Sequence, residues 1–338
     1  EGSLGDMQAR LDAAAARSAG VIERRGAAGF VRECHGDLHL NNIVLWHGRP
    51  TLFDALEFDP ALATIDTLYD LAFLLMDLDH AGCREAANIV FNRYLWRNDQ
   101  DMDLEGLVAL PLFLVQRCLI RALVTAQQAQ QSKLASPISG SASEDDQAQR
   151  YLRQAFDALE SSPARLIGVG GLSGTGKSTL AAALAPHFGC SPGALHLRSD
   201  LERKALFGVE ETQRLPAASY TTAVGAEVYE RLVRKSRLAL AAGHTVIVDA
   251  VFADPTERAR LATIAAEAGV TFTGVWLDAP RETLIGRVEA RRGDASDADG
   301  QVVARQLDSG VGRLDWTRVD ASGSPDETLA LAKLRLEI

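Results

Sequence analysis

Eight consecutive residues carry the plainest chemistry in the chain: Gly171-Leu172-Ser173-Gly174-Thr175-Gly176-Lys177-Ser178, a complete G-x-x-x-x-G-K-[ST] pattern. Glycines let a backbone curl until successive N–H groups face one anion, and a helix starting there adds its partial positive charge. In such a loop Lys177 reaches the β- and γ-phosphates of a nucleoside triphosphate, and the Ser178 hydroxyl holds Mg²⁺. The flanks suit the pattern. Arg165 to Gly170 reads as a short buried strand, and Thr179 to Ala185 as the first turns of a helix. Gly171, Ser173, Gly174, Thr175, Gly176, Lys177, Ser178 and Thr179 are the expected contacts of Mg·ATP.

A second constellation lies near the start. His35-Gly36-Asp37 is followed by Asn42, five residues after the aspartate, and by Asp54 beyond two strand-like runs. This is the spacing of a protein-kinase catalytic loop, in which the first Asp accepts the proton of the acceptor hydroxyl while the Asn and a second Asp bind metal. Asp37 is thus a candidate catalytic residue, with Asn42 and Asp54 as metal ligands; a satisfied polar turn is the plainer reading of the same three. His35 and His39 stand four apart, a zinc spacing only on a helix, and Gly36 with the strand-like residues after it argues against one.

These residues need elements to hold them. Asp6 to Arg24 reads as a helix, Ile43 to Trp46 and Thr51 to Phe53 as strands about a turn at 47–50, and the chain from Ile65 to about Gln131 as helical. Within that helical stretch Leu68, Leu71, Ala72, Leu75 and Leu78 share a face, with Asp66, Asp70, Asp77 and Asp79 among them. Further helices run from Arg84 to Trp96 and, after a break near Pro111, from Leu112 to Ala126. Gln131 to Gln147 is polar and serine-rich and reads as a loop. Ser143, with Asp146 three residues on, heads a helix from about Glu144 to Glu160. Beyond Pro163, strands at Ala194–Arg198, Thr245–Asp249 and Thr271–Leu277 alternate with helices, which implies a doubly wound parallel sheet. The expected fold is α/β: a mainly helical domain over 1–162, then a phosphate-loop sheet domain with flanking helices over 163–338.

The totals fit a two-domain globular protein of 338 residues, 47% hydrophobic and 24% charged. A net charge of −10 argues against nucleic acid as the main partner. Cys34, Cys83, Cys118 and Cys190 are scattered without a C-x-x-C pair, as thiols of a reducing cytoplasm would be. No uninterrupted apolar run approaches the ~18 residues of a membrane span, so no membrane is expected. The chain opens on Glu1-Gly2-Ser3 and is expected to begin inside a longer protein.

Two resemblances add to this reading. His35, Gly36, Asp37, His39 and Asn42, then Asp54, resemble the aminoglycoside phosphotransferase family, whose loop is written H-G-D-x-H-x-x-N. Only 34 residues precede His35, and they hold no glycine-rich loop, so this half carries the catalytic loop without the lobe that clamps ATP. Efficient phosphoryl transfer is therefore not expected at this site.

The second half is similar to small-molecule kinases of the phosphate-loop superfamily, such as gluconate, adenylylsulfate and zeta-toxin kinases. The likeness rests on the loop, Ser199-Asp200 with Arg203, Asp249, and the arginines after Pro280. The resemblance implies that Asp200 orients or deprotonates a hydroxyl acceptor, that Arg203 grips it, and that Asp249 acts on Mg²⁺ through water. An N-cap is the plainer role for Asp200. The same resemblance makes Arg287, Arg291 and Arg292 a lid helix, with Arg305 a weaker member, leading into a flexible acidic loop at 293–300. Pairing of Glu289 with Arg292 is the alternative there. It also places Val319 to Ser324, Asp320 included, against adenine. Together the halves look like a known fusion, an aminoglycoside-phosphotransferase-like part followed by an AAA-type ATP-binding, kinase-like part. The implied activity is phosphoryl transfer from Mg·ATP to a small hydroxyl-bearing molecule. A nucleotide-binding regulatory module is one alternative, and aminoglycoside-type phosphotransferase activity at the His35–Asn42 site of the first half is the other.

Overall fold

The structure, a computed structural model, describes residues 4–57, 59–135, 141–160 and 162–336. They fall into two compact units. One comprises 1–91, 105–162 and 190–192, the other 92–104, 163–189 and 193–338. Residues 92–104 thus cross the division expected at 162/163.

The first unit starts with helix α1 (Leu4–Ala27) and strand β1 (Val31–Glu33), then the hairpin of β2 (Ile43–Trp46) and β3 (Arg49–Leu52). The hairpin turn is shorter than expected: His47 (φ 50°) and Gly48 (φ 72°) alone make it, and Pro50 lies in the strand. Helix α2 (Pro60–Ala63) and strand β4 (Thr64–Asp66), antiparallel to β1, lead to helix α3 (Thr67–His80). The helix expected from Ile65 therefore begins later, because Asp66 caps it by accepting from the Leu68 N–H at 2.8 Å. That carboxylate also receives Nε and Nη2 of the fully buried Arg25 at 2.7 and 2.8 Å.

Helices α4 (Arg84–Asn98), α5 (Asp101–Glu105), α6 (Leu110–Ala135) and α7 (Ser141–Leu159) follow. The loop expected over 131–147 is mostly helix: α6 runs on to Ala135 and α7 starts at Ser141, because Gln, Ala, Lys and Glu are good helix formers however polar. Residues 136–140 lie outside the described residues, as does the side chain of Ser143. The reading of apolar runs also needs correction. Asp101–Gln131, whose most apolar 18-residue window has mean hydropathy 1.9, is long and apolar enough to cross a membrane by length and composition. Gln116, Arg117 and Arg121 interrupt its runs without outweighing its leucines, and 56% of its most apolar window is buried inside the protein, as in a core helix.

The second unit is an α/β sheet. Strand β5 (Arg165–Gly171) precedes helix α8 (Lys177–Leu184), β6 (Leu195–Arg198) precedes α9 (Ser199–Leu206), and α10 (Thr222–Ala241) leads to β7 (Val246–Asp249). Helix α11 (Pro255–Glu267), β8 (Thr271–Asp278), α12 (Arg281–Ala290), α13 (Gly300–Ser309), β9 (Thr317–Asp320) and α14 (Pro325–Leu336) complete it. The five strands are all parallel in the order β6-β7-β5-β8-β9. Near-continuous apolar runs in β5 and β7 bury both faces, as central parallel strands require. Ile167, Val169, Ile247, Val275 and Leu277 meet Leu180 and Leu184 of α8 in the core. On the sheet, Gly168 stands opposite Gly274 in register, and a methyl at either, or at Gly170, would run into the Trp316 ring. Trp316 in turn meets Phe252 and Phe272 edge-on at 5.1 and 5.8 Å.

Candidate active site

Strand β5 delivers the chain to the glycine loop, and α8 begins at Lys177, so the loop wraps the positive end of a helix. Gly174 (φ 90°) and Gly176 (φ 87°) hold left-handed conformations that a side chain would strain. At Gly174 a methyl would also strike the Leu284 carbonyl. Leu172 O accepts from the Thr175 N–H (3.2 Å), Thr175 Oγ1 (2.8 Å) and Lys177 Nζ (3.1 Å), which folds the lysine over the loop. Burial pushes the Lys177 ammonium below the ordinary lysine range, against the pull of Asp249 and Asp200.

The carboxyl ends of β6 and β7 supply the groups facing that lysine. Asp249, 3% exposed, ends β7 with its Oδ2 3.6 Å from His196 Nε2 and 3.9 Å from Arg198 Nε. Burial alone would raise its pKa, yet His196, Lys177 and Arg198 hold the carboxyl below its usual range. Arg198 reaches Asp294 Oδ1 at 3.0 Å and Glu211 at 3.7 Å. Asp200 is not an N-cap: it lies inside the first turn of α9, after the extended Arg198, and its side chain has no hydrogen bond or ion pair among the described residues. Arg203, one turn on, donates Nη1 to Ser219 O at 2.8 Å and lies over the Tyr220 ring.

A cavity of about 430 Å³ opens beside the loop. Of the expected nucleotide contacts, Gly174, Thr175, Gly176 and Thr179 line it, together with Arg287, Arg291, Asp294, Gly323 and Asp326. Gly171, Ser173, Lys177 and Ser178 belong to the loop without lining this cavity. Asp320 does not line it either, since its carboxylate turns onto the Ser322 N–H (2.9 Å) and Oγ (2.5 Å). Arg287 spends its guanidinium on the carbonyls of Ala321 (2.7 Å), Ser322 (3.4 Å) and Gly323 (2.5 Å), so it shapes the wall.

The lid arginines do not share a helix. Helix α12 ends at Ala290, and Arg291 is extended, its Nε 3.3 Å from Asp294. Arg292 donates to the carbonyls of Glu289 and Arg291 instead of pairing with the Glu289 side chain. Nor is 293–300 a free acidic loop. It is a strap tied at Asp294 to Arg198 and Arg291, and at Asp297 to Lys204 Nζ (2.8 Å), Tyr220 Oη (2.6 Å) and Leu215 N–H (2.9 Å). Arg305 is exposed on α13 beyond it.

Mg²⁺ fits the donors present in part. Ser178 offers a half-buried hydroxyl in the first turn of α8, and Asp249 a buried carboxylate held anionic. Among the described residues no group of three or more His, Cys, Asp or Glu is arranged to hold a metal, so an ion here would also need phosphate oxygens.

In the first unit, α3 sets the second constellation. Asp70 accepts from the N–H groups of His35 and Gly36 (3.1 and 3.0 Å), and Asp77 from that of Leu40 (2.8 Å). Asn42 Nδ2 donates to Asp37 O and Oδ2 at 2.9 and 3.2 Å, and His39 Nε2 lies 3.2 Å from the same carboxylate. His39 Nδ1 accepts from the Asn41 N–H and His35 Nε2 meets Phe53 O at 2.9 Å, while His35 Nδ1 is without a hydrogen-bond partner; among the described residues the two rings join no group of three or more potential metal ligands. Asp54 is exposed with φ 60° and has no tie to Asp37 or Asn42.

Arg198, His196, Asp294 and Asp297 were not singled out from the sequence. Arg198 had a usable signal, since it ends a strand directly before Ser199-Asp200, where parallel sheets gather their ligands. The others had none.

Residues 166–311 match the AAA domain family. Over 312 residues the chain is 32% identical to uncharacterized proteins of Mycobacterium tuberculosis and Mycobacterium bovis, covering 90% of this chain and 59% of theirs. It spans about three-fifths of the length of these curated relatives. Among solved structures it is similar to a sugar kinase of a Janibacter species (22% identity, 52% of this chain and 96% of that one, TM-score 0.40). It is also similar to the APS kinase of Mycobacterium tuberculosis in complex with AMPPNP and APS (25%, 52% and 99%, TM-score 0.38).

Proposed function

We propose that the second unit is an ATP-dependent kinase that phosphorylates a hydroxyl group of a small molecule. The observation that carries this reading is Lys177, folded over an anion-cradling loop, within the electrostatic pull of the Asp200 carboxylate, which lies in the first turn of α9 just beyond β6 and makes no hydrogen bond or ion pair among the described residues. The loop N–H groups and Lys177 would hold the β- and γ-phosphates, and Arg291 and Arg198 would add positive charge beside them. Ser178 and, through water, Asp249 would hold Mg²⁺, which when bound neutralises charge on the transferring phosphoryl group. Asp200 would orient the acceptor hydroxyl and take its proton as the new O–P bond forms and the bond to ADP breaks. Arg203 and Tyr220 stand beside Asp200 on the acceptor side.

Calorimetric titration of Mg·ATP into the whole chain and into Lys177→Ala tests this. One site in the parent and none in the variant is the expected outcome, and unchanged binding in the variant would refute it. A second reading rests on the Asp37–Asn42–His39 contacts, which hold a catalytic-loop aspartate in place. It keeps phosphoryl transfer in the first unit and requires a nucleotide site that survives in Lys177→Ala.

A further inference from the structure

Arg287 and Arg291 line the same cavity and are held very differently. Arg287 donates to three carbonyl oxygens. Arg291 has, among the described residues, a single ion pair, from Nε to Asp294 Oδ2 at 3.3 Å, and its Nη1 is buried with no hydrogen-bond partner. A buried donor left unpaired is costly, so this guanidinium has unspent capacity for an anion in the cavity wall. It also lies within electrostatic reach of Lys177, whose ammonium it helps to push down. Asp294 belongs to the same lining as Gly174, Thr175, Gly176 and Thr179 of the phosphate loop. Yet Asp294 does not depend on Arg291. Its Oδ1 takes Arg198 Nη2 at 3.0 Å, the shorter of its two ties to arginine, and the strap around it is fixed separately by the Asp297 bonds and by the burial of Ala295. The link to Arg291 can therefore open while the strap stays in place.

We propose that Asp294 is an internal competitor of the nucleotide: its carboxylate holds Arg291 until a phosphate oxygen of the bound nucleotide takes that guanidinium, which leaves Asp294 on Arg198. This rests on the nucleotide site proposed above and goes beyond it by naming the group that opposes binding and the side chain over which the two compete. A carboxylate and a phosphate offer an arginine the same kind of paired acceptor oxygens, so the exchange costs Arg291 nothing and can give its Nη1 an acceptor. Arg198 keeps Asp294 and has Glu211 at 3.7 Å and Asp249 Oδ2 at 3.9 Å besides, so no charge is stranded on the strap.

Calorimetric titration of the whole chain with Mg·AMPPNP tests this. A hydrogen bond to a charged group amounts to about tenfold or more in affinity, so Asp294→Ala should bind AMPPNP about tenfold more tightly than the parent. Asp294→Asn, which keeps the shape of the strap, should move the same way by a smaller factor. Asp326 separates competition from mere charge, because it lines the same cavity and has no ion pair among the described residues. Asp326→Asn should therefore change the affinity by less than about twofold. In an Arg291→Ala background, Asp294→Ala should gain nothing, since the contested guanidinium is gone. Unchanged or weaker binding in both Asp294 variants, an equal gain in Asp326→Asn, or a full gain without Arg291 overturns the proposal and leaves Asp294 as a tie of the strap. Absence of AMPPNP binding in every one of these proteins instead refutes the nucleotide site itself, and the competitor falls with it.

Discussion

His244 shows how burial can outweigh a hydrogen bond in setting a residue's chemistry. Its Nε2 meets Gly193 O at 3.0 Å, and burial lowers its pKa to about 4 from an ordinary 6.5. The folded chain therefore binds fewer protons than the unfolded one between those values, so stability falls as pH drops from about 6.5 to about 4 and levels off below. The contribution is at most about 3 kcal/mol. Thermal midpoints measured from pH 7 to 4 should fall less steeply in His244→Gln than in the parent. At this scale the sequence was readable where a motif fixes residue and partner together, as Lys177 does with its loop. It was opaque where a partner arrives from far along the chain: nothing near Ser173 announces that its N–H donates to Gln306 Oε1 on α13, 133 positions away. Nor does the sequence announce that the Asp320 carboxylate is satisfied locally, by the N–H and hydroxyl of Ser322.

Among elements, the strap at 293–300 departs furthest from its sequence. Three aspartates and two glycines in eight residues read as solvated loop, yet Ala295 is 1% exposed and Asp297 meets the buried Lys204. Acidic residues look like surface until the cation they serve is known, and Lys204 lies 93 positions away. Asp297→Ala would leave that ammonium with the Gln213 carbonyl as its remaining partner and take an acceptor from Tyr220 and Leu215. Breaking a buried pair on one side costs about 3–5 kcal/mol. Urea denaturation should show a loss of that order, limited proteolysis should open at 291–300, and Asp297→Asn should fall between variant and parent. Strands β5 and β7 were legible because buried parallel strands are near-continuous apolar runs, and β8 because Val275, Trp276 and Leu277 form such a run at its carboxyl end. The 131–147 segment was not, because polarity marks a helix surface as readily as a loop.

At the scale of the whole chain, the phosphate-loop unit does not begin at Pro163. Asn92 pairs with the edge strand β6 through the His196 N–H (2.7 Å) and Ala194 O (3.2 Å), and Trp96 Nε1 donates to Leu201 O at 3.0 Å. Asp99 joins Arg231 and Lys235, which also hold Glu202 on α9, the helix that carries Asp200 and Arg203. A fragment starting at 163 loses all of these and exposes a strand edge, a template for association. It should aggregate in size-exclusion chromatography, whereas the whole chain should run as a discrete species and bind Mg·ATP more tightly. No sequence signal marks this, since helical periodicity around Arg84–Asn98 says which face is apolar but not what will cover it. The face of the sheet under Trp316 has a consequence on another timescale. Gly168 and Gly274 stand side by side beneath one indole, so neither can acquire a side chain while the tryptophan remains, and the tryptophan cannot leave without stripping two bare backbones. The three positions should therefore be inherited as a set, since any single exchange passes through either a clash or a cavity.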